Sequence, residues 1–233
     1  MGMTPQEMSN FFAEESADCF SNIDSQRVRN NPALLELNVR LASENALMSA
    51  LIDWRNQLTD PCEKLRIAFK ACNLAVETLP TLDSPTPLSE RFRFYDIALL
   101  AKLLDVETPS NTLSILQKCR SSGTTDSCLD YALAETIAGA NHVLGQTIST
   151  KTFTKRQTLL RDTYSAYRDL LCGNTEALRR AEDNFTKRSS DGYFSGGSQI
   201  DGGGPDNAFV TDYRLAAILR GMTCEIASVH ALP

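Results

Sequence analysis

The residues with reactive side chains are few and scattered. The 233-residue chain holds two histidines, His142 and His230, and seven cysteines at positions 19, 62, 72, 119, 128, 172 and 224. Nucleophilic catalysis needs a serine or cysteine beside a histidine that a carboxylate orients, and neither histidine stands in a setting that marks one. His142 follows a helical run that ends with a glycine, so a capping or packing role is expected of it. The cysteines are odd in number and include no Cys-x-x-Cys pair, which argues against a disulfide framework or a zinc site. They are expected to be small buried apolar residues. Gly202-Gly203-Gly204-Pro205-Asp206-Asn207 lacks the Lys-Ser/Thr ending of a phosphate loop and follows no predicted strand. Asp191, Asp201 and Asp206 fall outside the spacing of a calcium loop. Paired carboxylates in a helical bundle hold two metals with the help of Glu-x-x-His motifs, and the sequence has none. The expectation is a protein without catalysis, metal or cofactor.

Charge narrows the partners. A formal net charge of -6 argues against nucleic acid, whose affinity comes from lysine and arginine releasing counterions. An acidic protein favours basic partners, although a modest negative charge also serves solubility. The acidic field is strongest at the N-terminus. Thr4-Pro5-Gln6-Glu7 has a capping residue, a proline at the first helical position and a glutamate three after the cap, all marks of a helix start. Met8, Phe11, Phe12 and Ala17 are expected to supply the apolar side of that helix. Glu7, Glu14, Glu15 and Asp18 have no basic neighbour, and the first basic residue is Arg27. That composition is wrong for a secretory signal or presequence, and the segment after Gly2 lacks the Ser or Thr of a myristoylation signal. No apolar run reaches the length of about 18 residues that a membrane span needs. A cytoplasmic location is expected.

The elements that would position these residues are helical throughout. Asn31-Pro32 opens a second run that continues to Gln57, with a break expected near Ser43-Glu44-Asn45 because the run is long for a globular helix. Asp60-Pro61-Cys62-Glu63 repeats the capping logic for a helix carrying Leu65, Ala68, Phe69, Cys72, Ala75 and Val76. Residues 80–87 hold three prolines and mark the clearest boundary, a possible subdivision of an otherwise single domain over residues 1–233. Residues 91–104 and 109–119 read as helices, and Asp126 is expected to cap the next one, through about Ala140. Only residues 143–153 are rich in β-branched side chains, and a loop is expected there.

In the C-terminal stretch Leu160, Tyr164, Tyr167 and Leu171 repeat with helical spacing. Cys172-Gly173-Asn174 stops that run, with Gly173 suited to a left-handed closing residue and Asn174 to a cap. A connection this short implies an antiparallel hairpin with the helix at 175–188. Residues 189–207 contain six glycines and cannot form a regular element. Beyond them Asp206-Asn207 offers a cap, and Ala208 to Leu219 form an apolar run broken by Asp212 and Arg214 and ended by Gly221. A helix apolar on most sides is wedged between others.

The strings YRDLLCGNTEALRRAEDNFTKRSSDGYF and DYRLAAILRGMTCE resemble the C-terminal part of the immunity protein 49 family, all-helical antidotes of bacterial polymorphic-toxin systems. The likeness consists of a helix ending Leu-Leu-x-Gly-Asn, a following helix with Ala177-Leu178, and an Ala-rich last helix ending Arg220-Gly221-Met222. It is confined to this stretch; the glycine-rich segment departs from it and the N-terminal half adds nothing. The resemblance implies a cytoplasmic immunity protein in bacterial competition that binds a cognate toxin and blocks it. The residues put forward for that partner are Glu14, Glu15 and Asp18, with Asp191, Tyr193, Phe194 and Asp201 in the glycine-rich segment. A helical scaffold or adaptor for a peptide or protein partner is the alternative. Periodicity and caps predict an all-α array of antiparallel hairpins with about nine helices and no significant sheet.

Overall fold

The computed structural model describes residues 3–58, 60–78, 94–108, 111–122, 125–140, 142–190 and 213–222. Among them the chain is all-α, with eleven α-helices. In order these are α1 (Pro5–Ile23), α2 (Gln26–Arg29), α3 (Pro32–Asn56), α4 (Pro61–Thr78), α5 (Phe94–Leu103), α6 (Thr112–Ser122), α7 (Thr125–Ile137), α8 (Val143–Thr150), α9 (Thr158–Leu171), α10 (Ala177–Ser190) and α11 (Tyr213–Met222). A 3-10 turn, Lys155–Gln157, leads into α9. The proline-rich residues 80–87 lie outside the described residues.

The N-terminal layer is α1 against α3 and α3 against α4. The face that α1 buries is not the one its large apolar residues suggest. Ser9, Ser16, Cys19 and Ile23 are buried, whereas Met8 and Phe12 are half-buried and Phe11 and Ala17 are exposed. Ser9, Ser16 and Ile23 repeat every seven residues, and opposite them Ala42 and Ser49 on α3 do the same. Side chains this small let two helices approach closely, and the seam is antiparallel: Ser16 Oγ donates to the Ala42 carbonyl at 2.8 Å, and Ser9 meets Ser49.

Helix α3 runs unbroken through Ser43-Glu44-Asn45, contrary to expectation. Ser43 is buried with Ala42, Ala46, Leu47 and Ala50 between the helices on either side, and that packing carries the helix to a left-handed Gln57 (φ 52°). The expected loop at 143–153 is likewise mostly helix, α8. Its β-branched residues support the helical backbone: Thr147 and Thr150 donate to the carbonyls of Val143 and Gln146, and the N–H of Leu144 is taken up by Thr136 of α7 at 3.0 Å. Helix α7 starts at Thr125, so Asp126 lies within it rather than before it.

The hairpin of α9 and α10 forms as expected. Gly173 takes φ +86°, and the N–H groups of Gly173 and Asn174 close back on the carbonyls of Leu170 and Asp169, the paired bonds of a helix terminated by a left-handed glycine. Asn174 Oδ1 then accepts from the N–H of Glu176.

Helix α11 packs on α5, α9 and α7. It buries Tyr213, Leu215, Ala217 and Ile218, and also Arg214, which the sequence places as an interruption of the apolar face. Arg214 is 4% exposed because α7 supplies its counterion: Arg214 Nε donates to Asp130 Oδ1 at 2.9 Å, and Tyr164 of α9 donates to the same carboxylate. Tyr213 donates to the buried Asp96 of α5. A buried carboxylate is tolerated only when charged and hydrogen-bonding partners compensate it, so two consecutive residues of α11 complete the environment of two other helices. One apolar cluster runs from Ile23 through Leu99, Leu133 and Tyr167 to Ile218. Gly221 lies inside α11, which ends at Met222.

Candidate protein-interaction surface

The first half of the N-terminal helix is fixed by its cap and by a contact with α3 and α4. At its start Thr4 and Glu7 form a reciprocal capping box, the Glu7 N–H donating to Thr4 Oγ1 at 3.2 Å and the Thr4 N–H to Glu7 Oε2 at 2.7 Å. Those bonds hold the Glu7 carboxyl below its ordinary range. Five residues further on, Ser9 enters a polar knot. Its Oγ lies 3.0 Å from Ser49 Oγ, 2.5 Å from Asp53 Oδ1 and 2.7 Å from Lys64 Nζ, and Lys64 forms an ion pair with Asp53.

A serine beside a lysine can be a nucleophile and its base, but here Asp53 bonds both side chains. Lys64 is engaged by the Asp53 carboxylate as well as by Ser9. Ser9 and Ser49 are 0% exposed, which closes the group to any substrate. Its effect is mechanical: it ties α1 to α3 and α4. Sequence reasoning missed this knot, and the signal that could have found it was the seven-residue repeat of serines on α1.

With the seam fixed, the opposite side of α1 faces solvent. Glu14, Glu15 and Asp18 are all exposed there, together with Glu7 and Phe11. At about 100° per residue these five fall on one half of the helix, turned away from Ser9 and Ser16. The helix contains no lysine or arginine, and among the described residues no ion pair engages these carboxylates. Their field reaches inward: burial raises the Cys19 thiol above its ordinary value, and the charges of Glu15 and Asp18 push it further. Asp191, Tyr193, Phe194 and Asp201 lie outside the described residues.

A half-open cavity of about 480 Å³ lies between α8 and α9, lined by His142, Leu144, Gly145, Gln146, Arg168 and Cys172 among others. His142 stands at the N-cap of α8 in the left-handed region (φ 71°), yet its side chain makes no capping bond and is exposed, so the expected packing role is not seen. Arg168 contributes its stem, which passes over Gly145, where a Cβ would stand 3.4 Å from Arg168 Cδ. Its guanidinium turns onto Asp169, which Arg180 also reaches. The cavity therefore sets the polar side chains of Thr136, Gln146 and Ser149 beside the apolar Leu144 and Leu171.

The cysteines divide. Cys19, Cys119 and Cys128 are buried as expected, Cys62 is half-buried, and Cys172 is exposed at the end of α9. Burial pushes the Cys119 thiol up to about 11, against the pull of a hydrogen bond with Tyr131. Among the described residues no group of three or more His, Cys, Asp or Glu could hold a metal ion, and no helix is long and apolar enough to cross a membrane. Comparison with protein-family models, curated proteins and solved structures finds no match.

Proposed function

We propose that this chain is an antidote of the immunity protein 49 kind, a cytoplasmic protein that neutralises a cognate bacterial toxin by binding it. The observation that carries the reading is the exposed acidic face of α1, which no ion pair among the described residues engages, on a helix fastened from behind by Ser9, Asp53 and Lys64. A rigid element presenting one sign of charge suits fast, oriented encounter with a partner of the opposite sign. The C-terminal resemblance supports the same reading independently. Blocking requires only that the complex cover the toxin's active site or a surface it needs, so the antidote itself needs no catalytic group. The test is co-expression with the product of a neighbouring gene that is toxic when expressed alone. Growth should be restored, and the two proteins should co-elute as one complex; persistent toxicity with no complex would refute the assignment.

A further inference from the structure

We infer that Phe11 is the anchor of the α1 surface and that the matching element of the partner is a cationic protein surface enclosing an apolar slot; this rests on the reading of the chain as a protein-binding antidote. The aromatic ring, rather than the charge, makes the case. Carboxylates alone on a helix form a solvated face, but Phe11 sits among them, 44% exposed, on the side of α1 turned away from the buried seam. Glu7, Glu14, Glu15 and Asp18 surround it at offsets of three, four and seven residues, the spacing of helical neighbours.

The ring is held in place before any partner arrives. Phe12, half-buried beside it, meets its edge at a centroid distance of 5.5 Å and an interplanar angle of 68°. The helix beneath is fixed by the capping box and the Ser9 knot. An aromatic side chain whose rotamer and backbone are already ordered loses little entropy on binding, and an aromatic anchor ringed by polar residues is the arrangement in which a few side chains dominate an interface. The occupant follows from complementarity. Lysine or arginine side chains must meet the four carboxylates, and an apolar depression must take the ring. Nucleic acid and anionic lipid are repelled by the same carboxylates, and a second copy of α1 would bring like charges together.

Two peptides of equal charge separate the ring from the field: octalysine, and an amphipathic helix with eight lysines flanking a leucine stripe. Binding to the full chain is read by fluorescence anisotropy at low salt. The leucine-bearing peptide should bind about tenfold or more tighter than octalysine. Phe11→Ala should remove that advantage and leave octalysine binding unchanged, while Phe11→Trp keeps it. Glu14→Lys, Glu15→Lys and Asp18→Lys together should weaken both peptides. Equal affinity of the wild-type chain for the two peptides, an advantage that survives Phe11→Ala, or no binding of either overturns the inference. The toxin assay distinguishes the two claims. Full protection by Phe11→Ala removes the anchor and leaves the antidote, whereas failure of the wild-type chain to protect, with the peptide discrimination intact, removes the antidote and leaves the surface.

Discussion

Ser9 of α1 and Asp53 of α3 stand 2.5 Å apart, oxygen to oxygen, with the Lys64 ammonium closing the group from α4. Three helices thus meet at one buried carboxylate. Removing that carboxylate should cost more than removing the hydroxyl. Asp53→Ala leaves Lys64, whose side chain is 15% exposed, without its counterion, and the expected loss is about 3 kcal/mol, the low end for a broken buried pair because the lysine still reaches water. Ser9→Ala removes the neutral hydroxyl that meets Asp53, Ser49 and Lys64 but leaves the Lys64–Asp53 ion pair standing, and should cost less, about 1 to 2 kcal/mol. Urea unfolding that finds the two variants equally destabilised would show that the ion pair does not hold the seam.

The same contrast applies to the last helix. Arg214→Met leaves Asp130 with Tyr164 as a donor but no cation, and a loss of about 3 kcal/mol is expected. Tyr213→Phe takes one donor from Asp96 and should cost roughly 1 to 3 kcal/mol. If α11 were held by its apolar face alone, Tyr213→Phe would be close to neutral in an unfolding titration and Arg214→Met would raise stability.

Cysteine chemistry should follow burial. A thiol with a pKa of about 11 is ionised in only about one molecule in a thousand at pH 8, and the thiolate is the reactive form. Maleimide at that pH, followed by peptide mapping, should therefore label Cys172 rapidly in the native protein and leave Cys19, Cys119 and Cys128 unlabelled until denaturant is added. Rapid native labelling of Cys119 would contradict the packing of α6 against α7.

The helices and their ends were legible because they are written locally. Thr4-Pro5-Gln6-Glu7 and Gly173-Asn174 carry capping chemistry in adjacent residues, and Leu160, Tyr164 and Tyr167 carry the period of one face. Whatever depends on a second helix was not legible. Phe11 and Ala17 were placed on the buried side of α1 because they are apolar, yet Ser9 and Ser16 win that side by being small enough for α3 to approach. Arg214 reads as a break in an apolar run until Asp130 is known to lie opposite it. Residues 143–153 look like loop in composition, and Thr136, in another helix, caps them into α8. Of the residues on the proposed surface, Glu14, Glu15 and Asp18 could be placed on an exposed face from charge alone, while Phe11 could not, because its exposure is a consequence of the serine seam.

The capping box gives a pH dependence whose sign is fixed. The Glu7 carboxyl lies below its ordinary value of 4.5 because the Thr4 N–H and hydroxyl bond its charged form. A depressed folded value means that the stabilisation is fully present above the unfolded value and is lost as the pH falls through the folded one. Exchange of the Glu7 and Met8 amides, which bond Thr4, should therefore quicken as the pH drops below 4.5, after correction for intrinsic rates. Glu7→Gln should flatten this dependence, since a neutral amide still accepts the Thr4 N–H but does not titrate. An unchanged profile in the variant would assign the fraying to another group.

Kinetics of complex formation should separate the charges of α1 from its ring. Steering acts on encounter, before the surfaces touch, and is screened over a Debye length of about 10 Å at 0.1 M salt. Reversing Glu14, Glu15 and Asp18 to lysine should therefore slow association with the toxin by about tenfold or more at low salt, and much less at about 0.5 M, with dissociation changed little. On the proposed surface Phe11 would be buried only after docking, so Phe11→Ala should leave association nearly unchanged and hasten dissociation, raising the Kd by more than about thirtyfold, the equivalent of about 2 kcal/mol. Because Phe11 is exposed in the free protein, its melting temperature should not move. Surface plasmon resonance at two salt concentrations reads both rates at once. Equal effects of the two variants on dissociation, or a salt-independent effect of the charge reversal, would place the docking surface somewhere other than this face of α1.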